Sequence, residues 1–175
     1  MRYPELRRRC AGLVDRLDRD IGGIPRPFDL DLLLDRFEAH RGRPIDLHPT
    51  HVTSSGPCGL WLRQDGRDVI VHAANTSTVH QTHIVLHEIG HMVCEHRGAC
   101  DVALGSLADL GLPVGSRLAG HMLGRSTYSS DEEQEAEMVG TLIRLAAAPS
   151  DDLIDSGRVP HGESGLYRRI ADVFG

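Results

Sequence analysis

The chain has 175 residues, of which 40% are hydrophobic and 25% charged, enough apolar material for one domain with its own core and too much for a disordered segment. A formal net charge of -6 and a cationic run no longer than Arg7-Arg8-Arg9 argue against direct binding to nucleic acid. No stretch approaches the ~20 apolar residues that span a bilayer, and charges from Arg2 onward leave no apolar signal segment, so a cytoplasmic location is expected. In that compartment Cys10, Cys58, Cys94 and Cys100, which form no CxxC pair, are expected to stay reduced.

In chain order, Leu6, Cys10, Leu13, Leu17 and Ile21 recur at helical spacing after Pro4, and Gly22-Gly23 supplies the stop. A second helix is predicted from about Asp29 to His40, with Leu30, Leu33, Leu34 and Phe37 on one side and Gly42 just beyond. Ile45 and Leu47 alternate with polar residues, as in a half-buried strand. Gly59-Leu60-Trp61-Leu62 and Asp68-Val69-Ile70-Val71 flank a turn containing Asp65-Gly66 and read as a β-hairpin, with Trp61 expected in the core. One arm is expected at a sheet edge, where an extended peptide could add as a strand.

The clearest helix is predicted from Ser77 to about His96, with Gly98 as its C-cap. Residues 99–128 suggest one or two short helices broken by Pro113. A last long helix is expected to start near Ser130, where Ser130 and Glu133 have capping-box spacing, and to run to about Ala148 before Pro149. A polar tail follows, with an amphipathic piece from Ser164 to Phe174. The expected class is α+β: N-terminal helices, a small sheet with a hairpin and two long helices, in one domain over residues 1–175 with its core at about 25–148 and its tail at 149–175.

His87-Glu88-Ile89-Gly90-His91 is an HExxH string. Residues four apart on a helix share a face, about 5.4 Å along the axis, so both imidazoles can meet one ion. Zinc accepts neutral imidazole nitrogens and keeps a position open for water in catalytic sites, and Glu88 is placed to take that water's proton. His80 and His83 lie on the same stripe. His83 and His91 are ~12 Å apart along the axis and cannot share an ion, so His80 and His83 are expected to be hydrogen-bonded packing residues. Cys94 is expected to pack in the core.

A third ligand is sought in the acidic opening of the last helix. There the apolar face of Ala136, Val139, Leu142, Ile143 and Ala146 includes Glu132 and is flanked by Glu135, whereas Glu133 and Glu137 project outward. Glu132 is already accounted for by the helix dipole, so Glu135 is preferred, with Glu132 the alternative.

At these residues the sequence resembles the ImmA/IrrE family of zincin-like metallopeptidases. The matching pieces are Gly42-Arg43-Pro44-Ile45 after an N-terminal helix, the hairpin before the active helix, the HExxH string followed by His96, and Glu135-Ala136 in the last helix. They cover roughly residues 25–148. The resemblance implies a zincin-like core, Zn2+ held by His87, His91 and Glu135, Glu88 as the catalytic residue, and a cytoplasmic helix-turn-helix repressor as protein substrate. Where members of that family carry Phe-Ala and a Leu-Leu-x-Pro ending, this chain has Val139-Gly140 and Leu145-Ala146-Ala147-Ala148-Pro149. Oxyanion-donor candidates are His121, Tyr128 and His161. Competing readings are a non-catalytic zinc-binding module that contacts a repressor and a zinc hydrolase of small amides.

Overall fold

The computed structural model describes residues 2–51, 58–96 and 128–148. Among them the order is α1 (Tyr3–Asp20), α2 (Leu30–Arg41), β1 (Ile45–Thr50), β2 (Gly59–Gln64), β3 (Arg67–Ala73), α3 (Thr78–Val93) and α4 (Ser130–Ala146). The architecture is mixed α+β. No helix of the described residues is long and apolar enough to cross a membrane. The short helices expected between residues 99 and 127 and the tail from 149 onward, with His121 and His161, lie outside the described residues.

The sheet has the order β1-β3-β2, with β1 parallel and β2 antiparallel to β3. The central β3 carries the unbroken Val69-Ile70-Val71 run, buried throughout, because both of its neighbours and the helical layer cover it. Asp68 opens that run and is fully buried. Arg41 and Arg43 hold it at 2.7 and 3.1 Å, and Trp61 Nε1 donates to it at 3.2 Å. Arg43 also donates to the carbonyls of Gln64 and Arg67, so the α2–β1 connection is clamped onto the hairpin turn.

Local chemistry explains most boundaries. The Asp29 side chain accepts from Leu32 N and opens α2, and Gly42, at φ 63°, closes it in the left-handed conformation that glycine adopts at low cost. Ser77 caps α3. That helix ends at Val93, short of the expected His96, because Glu95 turns to φ 55°. The Glu95 N–H then donates to Met92 O at 3.2 Å and the His96 N–H to His91 O at 3.0 Å, a Schellman closure that folds His96 back along its own helix.

The capping box of α4 also sits one residue earlier than expected. Ser129 accepts from Glu132 N, and Glu132 returns a carboxylate to the Ser129 N–H at 2.8 Å. Glu133, expected in that role, is left free for another.

α3 and α4 pack at close range on small residues. A Cβ on Gly90 would meet the Ala136 carbonyl and come within 2.9 Å of Ala136 Cα, and one on Gly140 would come within 3.1 Å of Leu86 O. The glycine inside the HExxH string is thus where the two helices cross, and the Val139-Gly140 pair supplies the facing gap.

Candidate metal centre

The crossing brings two sets of donor atoms together. His87 Nε2 lies 3.1 Å from His91 Nε2 and 3.2 Å from Glu133 Oε2, and His91 Nε2 lies 3.8 Å from Glu133 Oε1. Zinc–nitrogen and zinc–oxygen distances of about 2.0–2.2 Å in tetrahedral geometry put neighbouring donors roughly 3.3 Å apart, so the three side chains fit one such ion. Cys94, His96 and Glu135 form a second group of potential ligands whose donor atoms, like those of the first, lie within 4.8 Å of one another.

Glu135 therefore does not join the histidines as expected. Its carboxylate is buried between α1 and the end of α3, with Oε1 2.9 Å from Arg9 and Oε2 3.1 Å from His96 Nε2. Glu132 is occupied by the cap. Glu133, exposed as expected, and Glu137, half-buried where an outward position was expected, lie on the flank of α4 beside α3. They fall on the same stripe as Gly140, seven and three residues before it, which is the signal that would have found them.

Around this first group each polar atom has a defined partner. His87 Nδ1 meets Glu137 Oε2 at 3.2 Å, and the other Glu137 oxygen meets His83 Nε2 at 3.2 Å. These two hydrogen bonds, first to His83 and then to His87, hold the Glu137 carboxyl down at about 2. His83 is thus a hydrogen-bonded packing residue, as expected, and His80 stacks beside it. Burial pulls His87 down, but the hydrogen bond to Glu137 and the charges of Glu88, Glu133 and Glu137 outweigh it and leave its pKa raised. His91 is held down at about 3 by burial and by the neighbouring His87 and His96, so it is the neutral imidazole that a metal requires. Tyr128 lies flat on the His91 ring, with centroids 3.6 Å apart.

The Glu88 carboxyl lies against the sheet, with His87 and Glu133 close enough to act on its charge. Burial pushes its carboxyl up to about 7, opposed by the charge of His87, and the backbone N–H of Trp61 donates to it. The strand register explains why that N–H is available. Ala73 N bonds to Cys58 O, so by antiparallel alternation Leu60 and Leu62 pair with β3 while Gly59, Trp61 and Arg63 turn their backbone groups to the open edge. Gly59 makes room: a Cβ there would lie 2.6 Å from Glu88 Oε1 and 2.5 Å from Ile84 Cγ2. No protein-family model, curated protein or solved structure matches this chain. Cys94, expected in the core, is half-buried and packed against it, and Trp61 is likewise half-buried on the core.

Proposed function

We propose that the chain is a zinc-dependent peptidase with a zincin-like core, in which His87, His91 and Glu133 hold the ion and Glu88 is the general base. The observation that carries this reading is the convergence of two imidazole nitrogens and a carboxylate at 3.1–3.8 Å on the rim of the α3–α4 crossing, beside a buried glutamate. Zinc there supplies Lewis acidity, polarising a scissile carbonyl and acidifying water. The residues do the rest. Glu88, whose burial holds it near 7 and which a neighbouring cation draws back towards the carboxylate, takes the proton of the attacking water and passes it to the departing amine.

The open edge of β2 runs past Glu88 and offers main-chain groups to an extended peptide, which favours a polypeptide over a small amide. The substrate class that the resemblance implies, a cytoplasmic helix-turn-helix repressor, completes the proposal. The test is to load the purified chain with zinc and incubate it with the product of its neighbouring gene, where that product is a helix-turn-helix repressor. Cleavage that disappears on chelation and returns with zinc supports the reading. Stable zinc binding with no cleavage of that partner would favour the non-catalytic module.

A further inference from the structure

Two groups of potential ligands sit back to back at the end of α3, and a contact between ring nitrogens joins them. His91 Nδ1 lies 2.9 Å from His96 Nδ1. Two lone pairs or two N–H groups cannot face each other at that distance, so one of these nitrogens carries the proton and the other accepts it. If His91 Nε2 binds a metal, its proton sits on Nδ1 and is donated to His96. His96 then carries its own proton on Nε2 and donates it to Glu135 Oε2 at 3.1 Å, and Glu135 Oε1 receives the Arg9 guanidinium at 2.9 Å. Every donor in this chain has an acceptor, and the direction of every bond is fixed by the first.

We propose that His96 and Glu135 are positioning residues that hold His91 in its metal-binding tautomer, and that the Cys94-His96-Glu135 group does not take a metal while His87, His91 and Glu133 hold one. The proposal rests on the site proposed above. It also uses an exclusion: a metal on His96 Nε2 would force that ring's proton onto Nδ1, opposite the proton His91 must then carry. Filling both groups would bring two N–H groups together at 2.9 Å or demand an imidazolate.

The backbone is shaped for this contact. Glu95 adopts φ 55°, a left-handed conformation that residues with a Cβ rarely adopt, and that turn folds His96 back on His91. Three elements then close the pocket: α1 brings Arg9, α4 brings Glu135, and Tyr128 covers the free face of His91. The arrangement corresponds to the direct His87–Glu137 contact on the other ligand, with an imidazole inserted between ligand and carboxylate.

The test is zinc titration of the full chain by chelator competition, with His96→Leu, His96→Asn and His87→Ala beside the wild type. Leucine removes the acceptor. The asparagine oxygen can stand where His96 Nδ1 stands and accept from His91. We expect about one zinc per chain, a 10–100-fold loss of affinity in His96→Leu, and substantial recovery in His96→Asn with an unchanged cobalt spectrum. Nitrogen NMR of the zinc-loaded wild type, which needs no variant to fold, should show the proton on Nδ1 in His91 and on Nε2 in His96.

Equal affinity in His96→Leu, with binding abolished by His87→Ala, would overturn the relay and leave the metal site standing. So would the opposite tautomers by NMR, or a second zinc lost in Cys94→Ser. Zinc binding indifferent to His87→Ala would overturn both.

Discussion

The two histidines of the proposed site are supported differently. His87 is backed by Glu137 and faces Glu133 at the rim of the helix crossing, where the Glu133 side chain is 47% exposed. His91 is 1% exposed and is backed by His96 and Glu135, both at 6%. One arm is anchored in the core and the other meets solvent. A hydrolytic centre needs both properties, since rigid ligands hold the ion's geometry while one side must remain reachable by water and substrate.

The largest effect expected concerns the buried glutamate beside the two arms. Glu88→Gln should retain zinc and fold, because the amide fills the same space, while peptide hydrolysis falls by about 10²–10⁴-fold for want of a proton acceptor. Zinc content and turnover measured on one preparation decide this, and unchanged turnover would remove Glu88 from the chemistry.

The closure of the buried arm can be read from its thiols. Burial pushes Cys10 up to about 11 and Cys94 up to about 12, whereas Cys58 is exposed. Only the thiolate reacts, so at pH 8 the buried Cys10 should alkylate far more slowly than the exposed Cys58. Peptide mass spectrometry of a labelling time course gives the ratio. Comparable rates would mean that the pocket beneath His91 is open.

The helix crossing carries both arms. Gly90→Ala should destabilise the chain by about 1–3 kcal/mol, because the added methyl meets Ala136 backbone that cannot yield as a side chain would. Denaturant unfolding measures it, and a neutral substitution would contradict the close packing. The smallest effect belongs to the turn after α3. Glu95→Gly should leave zinc affinity unchanged and raise stability by at most about 1 kcal/mol, since glycine adopts φ 55° without the Cβ penalty. Loss of stability there would mean that Glu95 makes contacts beyond its backbone role.

Much of this was legible in the sequence. The helix of the HExxH string, the hairpin, the Gly42 cap and the α+β class follow from periodicity and turn chemistry, which act locally. The grouping of Glu133 with the two histidines was not legible from helical projection. Projection of the last helix treated its apolar face as the site-facing one, but that face leads into the core and delivers Glu135 to Arg9 and His96. The donor group lies at the margin of the interface, on the flank that includes Glu133, Glu137 and Gly140. The one-residue displacement of the capping box, from Ser130 to Ser129, had the same effect by assigning Glu133 to the helix end. The place of His96 beside His91 depends on the Glu95 turn, a left-handed residue without a glycine, and no sequence rule marks it.

We propose Glu133, on the open arm, as the third ligand, with Glu135, in the buried arm, acting through His96. Chelator competition on Glu133→Gln and Glu135→Gln tests it most directly. Glu133→Gln should lose the largest part of zinc affinity, because a neutral amide replaces a carboxylate ligand, while Glu135→Gln keeps an acceptor for His96 and should lose no more than about tenfold. Strong loss in Glu135→Gln with Glu133→Gln unaffected would give the ligand role to Glu135.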